Sequence, residues 1–387
     1  MTAAAEAPEQ APQAAGGLSR SDLSRAGIRR SRCGRGFRYV GPDGRPLKDP
    51  QALARIKALV IPPAWEDVWI CPDPDGHIQA VGTDAAGRRQ YRYHDLWRKQ
   101  RDQEKHDRVL EFGAALPGIR RAVRRHLDGR GLSRNRVLAA AVSLIDLGFF
   151  RPGGEEYTAE NGTFGLATVG RQHVTCHRDQ IVFEYTAKGA KQREQAIADD
   201  QVCAVVRSLK RRRGGGGELL AYRTGHRWHD VTAADINDYL REVSASEGGG
   251  DFTVKDFRTW HATVLAAVGL AVSMSATTPA ARKRAVARVV REVAGYLGNT
   301  PAVARASYID PRIIEDYERG RTIASALGDL GASSGFGQLA TRGHAERAVL
   351  HILVGQAHGQ AGVARTDGSG RRTRRDAGHV SGINRER

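Results

Sequence analysis

The segment GNTPAVARASYIDP, residues 298–311, places a tyrosine between two helix starts. Thr300 and Asp310 are residue types that cap helix N-termini, and each precedes a proline, which is favoured at the first helical position. Because the residue before a proline avoids helical backbone angles, the first helix must end near Tyr308. A phenol with its ordinary pKa of about 10 is a weak nucleophile, so a nucleophilic Tyr308 requires cationic neighbours. Taken alone, the segment favours a structural tyrosine over a nucleophile.

The chain carries a large excess of positive charge. Its 387 residues include 60 Lys and Arg against 43 Asp and Glu, a net charge of +17 that is spread along the sequence. This distribution predicts a polyanionic partner, and the predominance of arginine suits bidentate contact with phosphate groups. The length and the 40% hydrophobic content allow two packed domains with additional tails.

Four cysteines, Cys33, Cys71, Cys176 and Cys203, are far apart and show no paired spacing. This pattern predicts neither disulfides nor a zinc site and fits a reducing compartment. The N-terminal residues lack the apolar core of a signal peptide, and no later run reaches the length of a membrane span. We therefore expect a cytoplasmic protein with no membrane partner.

Short apolar runs separated by turn signals begin near residue 30, and longer helical patterns follow after about residue 95. The predicted fold class is α+β, with a small β-rich N-terminal domain and a larger, mainly α-helical domain that contains a small antiparallel sheet. The expected organisation is a disordered tail at 1–28, the β-rich domain at 29–100, the helical domain at 101–355 and a disordered basic tail at 356–387.

Three helices of the larger domain can be outlined from the sequence. A charged helix is expected from Asp95 to about Phe112, before a break at Pro117-Gly118. A second helix with a continuous apolar face should end at Gly148. A third should open at Thr253 with the spacing of a capping box, in which Asp256 replaces the usual glutamate.

The part of the chain after Arg151 predicts an antiparallel meander with strands at 165–169, 173–176 and 181–187. Lys188 follows the last of these strands and should lie on an exposed hairpin tip. The run Lys210–Arg213 precedes four glycines and reads either as a basic loop that contacts phosphates or as a solvated loop.

The segment Gly87–His94 interleaves cationic, aromatic and amide side chains, a mixture that can hold phosphates while reaching base edges. The alternative, favoured equally, is a strand whose Tyr91 and Tyr93 share one face and pack on the core. The sequence leaves both interpretations open.

Several separated stretches together resemble one family, the type IB DNA topoisomerases of the small, poxvirus-like and bacterial kind. Each stretch alone is a weak signal, but their order and spacing over roughly residues 30–330 reverse the preference for a structural Tyr308. The matching stretches are Ile61-Pro62-Pro63-Ala64-Trp65, Gly87–His94, Arg151 with Glu160-Asn161-Gly162-Thr163-Phe164-Gly165-Leu166, Lys188, Lys255-Asp256-Phe257-Arg258-Thr259-Trp260 and Gly298–Tyr308.

The resemblance implies that Tyr308 attacks a DNA phosphodiester, forms a 3′-phosphotyrosyl bond and releases a 5′-hydroxyl, with religation as the reverse reaction. It implies that Arg151 and Arg258 bind the nonbridging oxygens, and that the amide of Asn299 adds a third donor. Lys188 would protonate the departing 5′ oxygen, which an arginine cannot do because it stays protonated. Neither ATP nor an obligatory metal is implied.

The sequence departs from the viral and nuclear pattern, which has histidine where this chain has Asn299. An amide donates hydrogen bonds but carries no proton near neutral pH, so this position should stabilise charge instead of moving a proton. His261 is a candidate replacement for the missing histidine, and the expectation is that it does not serve as one.

The resemblance also implies a C-shaped clamp that acts as a monomer on double-stranded DNA, with the β-rich domain on one face of the duplex and the helical catalytic domain on the other. The net charge would supply salt-sensitive, nonspecific binding at the nucleoid. The implied DNA-binding residues are Arg88, Gln90, Tyr91, Tyr93 and Lys255.

Two alternatives remain at this stage. A tyrosine recombinase or integrase would share the phosphotyrosine chemistry, but it should carry His-x-x-Arg at the second arginine, and the residue three before Arg258 is Lys255. A noncatalytic architectural DNA-binding protein would need only the charge and the flexible basic tail.

Overall fold

A computed structural model describes residues 17–153, 162–330 and 339–366, with side chains described up to Gly355 in the last range. The chain divides into two compact units, residues 1–107 and 108–387. Most of each predicted tail, residues 1–16 and 367–387, lies outside the described residues, as do Glu160 and Asn161 of the stretches quoted above. None of the helices in the described ranges has the length and apolar character needed to cross a bilayer.

The first unit contains a five-stranded antiparallel sheet whose strands lie side by side in the order Gly36–Val40, Ile28–Cys33, Glu66–Ile70, Ile78–Thr83 and Arg89–Tyr93. Ile56 of the helix Pro50–Ala58 packs with Ile28, Val68, Ile70 and Ala80 of the sheet, and these residues form the core of the unit. The elements are β1 Ile28–Cys33, β2 Gly36–Val40, α1 Pro50–Ala58, β3 Glu66–Ile70, β4 Ile78–Thr83 and β5 Arg89–Tyr93. The predicted β-rich N-terminal domain is confirmed.

Residues 17–28 are not a tail, which corrects the sequence prediction for this segment. Leu18 is buried, and Ser19 forms a bridge with Gly76. The Ser21 hydroxyl accepts from the Ile78 amide at 3.1 Å and donates to the Ile78 carbonyl at 2.9 Å. The segment has few large apolar side chains, but these hydrogen bonds to the sheet offset the entropy of ordering it.

The second unit is mainly helical, as predicted, and contains small antiparallel sheets. Strands β6, β7 and β8 form a three-stranded sheet, and β9 pairs with β10. The helices are α2 Asp95–Leu127, which begins in the first unit, α3 Arg134–Gly148, α4 Asp200–Arg211, α5 Ala233–Ser246, α6 Val254–Val272, α7 Pro279–Leu297, α8 Pro301–Ser307, α9 Pro311–Glu318 and α10 His344–Thr366. The strands are β6 Val174–Cys176, β7 Ile181–Ala187, β8 Lys191–Ile197, β9 Ala221–Thr224 and β10 Arg227–Asp230.

Three local predictions for this unit were wrong. Pro117 does not break α2, because Leu116 and Ile119 on either side of it are fully buried and packing outweighs the lost hydrogen bond. Residues 165–169 form a turn, not a strand, and the meander is completed by β8. The basic tail predicted at 356–387 starts too early, because the last helix continues past Gly355 to Thr366.

A buried polar network joins α6 to the helices α2, α3 and α10. The Asp146 carboxylate on α3 accepts from Arg120 at 2.9 Å and contacts His261 Nε2 at 3.0 Å. Glu346 on α10 accepts from Arg120 at 2.7 Å and from the Trp260 indole at 3.2 Å. Burial opposes ionisation of Asp146, but the adjacent guanidiniums hold the pKa of this carboxyl well below its usual range. The network fixes α6, the helix that carries Arg258.

Candidate active site

A cleft of about 380 Å³ in the second unit collects side chains that are far apart in the sequence. Five of the predicted site residues line it, namely Arg151, Lys188, Lys255, Arg258 and Tyr308. The lining residues are Arg151, Pro152, Gly153, Thr163, Phe164, Gly165, Lys188, Val254, Lys255, Arg258 and Tyr308.

Tyr308 is the C-cap of the short helix α8, as the two proline-marked helix starts predicted. The Thr300 side chain caps α8, and the Asp310 side chain caps α9 by accepting from the Arg312 amide at 2.9 Å. Thr263 on α6 donates to the Tyr308 carbonyl at 3.3 Å and accepts from the Asp310 amide at 3.1 Å. These bonds fix the backbone on both sides of a half-buried phenol. No local sequence signal points to Thr263, because its partners lie more than forty positions away.

Arg258 lies in the first turns of α6, with its guanidinium carbon 5.3 Å from the centroid of the Tyr308 ring. Nη1 donates to the Phe149 carbonyl at 3.0 Å, and Nη2 donates to the Leu297 carbonyl at 2.8 Å. Burial and the nearby charge of Arg151 lower the pKa of Arg258 to about 10. The guanidinium is therefore held rigidly beside the phenol.

Arg151 follows α3, which ends at Gly148 as predicted and turns at Phe149 in the left-handed region (φ 56°). Its Nη2 donates to the Gly298 carbonyl at 3.2 Å and to Oδ1 of Asn299. The Arg151 loop is packed tightly, since a Cβ on Gly165 would lie 2.3 Å from the Gly153 Cα. Only glycine permits this close approach of the two backbones.

Asn299 follows the left-handed Gly298 (φ 64°) that ends α7. Its oxygen is occupied by Arg151, whereas its buried Nδ2 has no acceptor at full hydrogen-bond distance within the ranges described above. The amide nevertheless lies close enough to Tyr308 to lower the pKa of the phenol. A buried N–H without an acceptor is costly, so this donor is suited to a ligand oxygen.

The surroundings of Tyr308 have opposing effects on its acidity. Burial raises the pKa of the phenol, but the charge and hydrogen bond of Arg258, the charge of Arg151 and the Asn299 amide lower it. The net result is a pKa below the usual value of 10. The cationic neighbours that a nucleophilic tyrosine requires are present.

Two exposed lysines complete the cleft. Lys188 begins the 188–190 turn between β7 and β8, where Gly189 (φ 79°) and Ala190 (φ 57°) are both left-handed. It lies on an exposed hairpin tip, as the sequence predicted. Lys255 lies in the first turn of α6, where the Asp256 carboxylate accepts from the Thr253 amide at 2.8 Å.

Other residues considered from the sequence do not line this cleft. His261 contacts Asp146 in the buried network described above, so its position indicates a structural role. The basic run at 210–213 is not a loop throughout, because Lys210 and Arg211 end α4. Lys210 donates to the Val174 carbonyl, and the buried Arg212 donates to the Leu219 carbonyl at 2.7 Å.

The aromatic strand of the first unit is the edge strand β5. The Tyr91 and Tyr93 rings stack with their centroids 6.1 Å apart, and neither ring belongs to the apolar core of that unit as far as it is described. Arg88 and Gln90 both donate to Asp84, at 2.9 Å in each case. The segment forms a strand with Tyr91 and Tyr93 on one face, as the second interpretation expected, but the two rings do not pack on the described core, and DNA contact stays a prediction.

Comparison with known proteins identifies the family. A family model for the catalytic core of eukaryotic DNA topoisomerase I matches residues 94–324. This chain belongs to the type IB DNA topoisomerase family. It is a topoisomerase that relaxes DNA, and its residues 36–84 match the N-terminal domain of bacterial DNA topoisomerase IB.

Individual relatives agree with this assignment. The topoisomerase is 29% identical to DNA topoisomerase 1B of Acanthamoeba polyphaga mimivirus over 300 residues, which is 76% of this chain and 88% of the viral protein. It is 22% identical to DNA topoisomerase 1B of Vaccinia virus over 237 residues, 61% of this chain and 71% of that protein. DNA topoisomerase 1 of Candidozyma auris is 29% identical over 131 residues, 33% of this chain and 16% of the fungal protein.

Proposed function

We propose that this topoisomerase relaxes duplex DNA through a covalent bond between Tyr308 and the 3′ phosphate of one cut strand. The phenol loses its proton to solvent, its oxygen forms a bond to phosphorus, and the bond from phosphorus to the 5′ oxygen breaks. Lys188 donates a proton to that leaving oxygen and recovers it when the 5′-hydroxyl attacks in the reverse reaction. The strand rotates between the two steps.

The observation that supports this assignment most strongly is the arrangement of donors around Tyr308. Arg258 lies against the phenol, and Arg151 and Asn299 contact each other beside it. A phosphate next to the phenol would gain two guanidiniums and the Asn299 amide, all fixed before the substrate arrives. Such preorganised donors stabilise the charge that develops on the nonbridging oxygens.

We further propose that relaxation requires neither ATP nor an obligatory metal ion. The phosphotyrosyl bond retains the energy of the phosphodiester that was broken, and the arginines and the amide supply the charge stabilisation. Relaxation of supercoiled plasmid in excess EDTA without nucleotide tests this proposal, and a strict requirement for either addition would contradict it.

The general-acid role of Lys188 has a specific test. Lys188→Ala is expected to slow cleavage of ordinary DNA by about 10²- to 10⁴-fold, the usual contribution of a positioned proton donor. A duplex with a 5′-bridging phosphorothiolate at the cleavage site releases a thiolate that needs no proton, so its cleavage should change by no more than about threefold. The measurement is single-turnover cleavage of both duplexes.

Lys191→Ala provides the matched control, because it removes another lysine from the same hairpin. This variant should cleave both duplexes with similar efficiency relative to the unmodified enzyme. Equal slowing of both duplexes by Lys188→Ala would remove Lys188 from the proton-transfer step.

The proposed DNA-binding residues of the first unit are Arg88, Gln90, Tyr91 and Tyr93, and Lys255 adds a cation at the mouth of the cleft. Support for this role comes from the exposed edge position of β5 and from the stacked tyrosine rings outside the core. The side chains of Arg88 and Gln90 are both held by Asp84, which limits the freedom they would lose on binding DNA.

Replacing both Tyr91 and Tyr93 by alanine is expected to weaken duplex binding by about tenfold, or roughly 1.4 kcal/mol. Phe37→Ala is the control, because Phe37 is an aromatic residue on β2, at the opposite edge of the same sheet. Binding is measured by titration of a labelled duplex at fixed salt. If the double variant binds like the control, β5 is not part of the DNA interface.

We propose that one chain is sufficient for activity, since every side chain of the proposed site comes from a single chain. Initial relaxation rates should then rise in proportion to enzyme concentration, and a second-order dependence would contradict the proposal. The bacterial character of the N-terminal domain favours a cytoplasmic enzyme that associates with the nucleoid.

A further inference from the structure

The inner face of strand β8 connects the Lys188 hairpin to the ends of two helices. Arg193 donates from Nη1 to the Gly295 carbonyl at 3.3 Å and from Nη2 to the Tyr296 carbonyl at 3.0 Å. Two residues further along the same strand, Gln195 donates to the Gly148 carbonyl. These carbonyls belong to the last turns of α7 and α3, the helices that lead directly into Asn299 and Arg151.

The last carbonyls of a helix lack partners within the helix and carry partial negative charge. A guanidinium has a fixed, planar set of donors, so Arg193 can bond to two of these carbonyls at once and hold β8 in one position against α7, adding to the bond that the Gly295 carbonyl accepts from the Gly298 amide at 3.0 Å. Gly298, the residue that turns the chain towards Asn299, is also adjacent, because a Cβ there would lie 3.5 Å from Arg193 Nη1. The strand is thus fastened next to the loop that carries the Asn299 amide.

The link from Arg193 to Lys188 is short and regular. Strands β7 and β8 pair without a bulge from Ile181↔Ile197 to Ala187↔Lys191, and Tyr185 lies opposite Arg193. Lys188 directly follows Ala187, the last residue of β7 in this ladder, and begins the turn at 188–190. Lys188, Arg151 and Arg193 also line one narrow pocket beside the main cleft.

We propose that Arg193 is a positioning residue for the general acid. By bonding to the C-terminal carbonyls of α7, it sets the distance between the Lys188 hairpin and the loop that presents Asn299. This inference rests on the proposed role of Lys188. Arg193 itself carries no proton in the reaction.

The test compares ordinary DNA with the 5′-bridging phosphorothiolate duplex. Arg193→Ala is expected to slow single-turnover cleavage of ordinary DNA by about tenfold to a hundredfold, as a misplacement near 1 Å does in other enzymes. Cleavage of the sulfur duplex should stay within about threefold of the unmodified enzyme. The cleavage rate of Arg193→Lys on ordinary DNA should lie between those of the unmodified enzyme and Arg193→Ala, because an ammonium lacks the planar fork that bonds to two carbonyls in one fixed geometry.

Arg207→Ala is a matched control, because Arg207 on α4 bonds to the turn between β6 and β7, away from the Lys188 hairpin. Arg207 also donates to two backbone carbonyls, those of His177 at 2.8 Å and Arg178 at 2.7 Å. Arg207→Ala should change the cleavage rates of the two duplexes by the same factor. Arg193→Ala added to Lys188→Ala should cause no further slowing of ordinary DNA, because both changes affect one step.

The outcomes separate this inference from the proposal on which it rests. If Lys188→Ala slows both duplexes equally, the general-acid assignment fails, and the role of Arg193 fails with it. In a second outcome, Lys188→Ala cleaves the sulfur duplex at a normal rate while Arg193→Ala slows cleavage of both duplexes equally. In that case Lys188 keeps its role and Arg193 does not position it. Unchanged cleavage of ordinary DNA by Arg193→Ala would also overturn the inference.

Discussion

Tyr308→Phe is expected to abolish the covalent protein–DNA adduct and to reduce relaxation by at least about 10⁴-fold, as loss of a nucleophile does in other covalent enzymes. The change removes one oxygen and retains the ring that lies against Arg258. Duplex binding and thermal stability should therefore remain close to those of the unmodified protein. The effect would be chemical, because phenylalanine lacks only the oxygen that forms the bond to phosphorus.

The measurement is denaturing gel electrophoresis after incubation with a duplex labelled on the 3′-phosphate side of the cleavage site. Tyr296→Phe serves as the control, because it removes the hydroxyl of an exposed tyrosine, 58% accessible, from the last turn of α7. The control should form the adduct at a normal level. An adduct that survives Tyr308→Phe would falsify the nucleophile assignment. If the unmodified protein binds DNA but forms no adduct, the result would favour an architectural DNA-binding role.

Arg258→Ala is expected to reduce the cleavage rate by about 10²- to 10³-fold, the usual effect of removing one preorganised donor, or by more. The larger effect has a physical cause, since Arg258 also holds the Phe149 and Leu297 carbonyls that flank the Arg151 and Asn299 loops. Arg258→Lys should recover little of the loss, because an ammonium cannot bond to the carbonyls and the phosphate with the same fixed geometry.

The same variant should change the pH dependence of cleavage. Burial raises the pKa of Tyr308, and the Arg258 charge is the first of the effects that lower it. Without Arg258 the pKa of the phenol rises, so the phenolate forms only at higher pH and the rising limb of the rate profile should move in that direction.

Single-turnover cleavage measured across pH tests this expectation. Arg134→Ala is a suitable control, because it removes a guanidinium paired with Glu242 at 2.9 Å on the surface of the second unit. That control should keep both the rate and the profile. A slower Arg258→Ala enzyme with an unshifted profile would separate phosphate binding from activation of the phenol and contradict the second role.

Several local features were predictable because their causes are local. The cap residues and prolines around Tyr308 define α8 and α9, and the Asp256 carboxylate accepts from the Thr253 amide as the capping spacing implied. Lys188 lies on the exposed turn where the end of β7 was expected. In each case the residues that decide the conformation lie within a few positions of one another.

Other features followed from packing that local signals do not report. Pro117 normally ends a helix, yet α2 continues because its neighbours are buried on both sides. The tail assignment failed at residues 17–28 because the hydrogen bonds of Ser21 reach a strand more than fifty positions away. The C-shaped clamp implied by the resemblance stays a prediction.

By itself, the sequence determined the family and the local presentation of Tyr308 and Lys188, and it led to the proposal of which groups react. The tertiary structure decided how those groups are held, because Arg151 meets Asn299 across 148 positions and Arg258 meets Phe149 across 109. It also decided that the Asn299 Nδ2 is buried without a close acceptor among the described residues and that Arg193 fastens the Lys188 hairpin to α7. Such contacts depend on how helix ends and a strand pack together, and no short stretch of sequence specifies that packing.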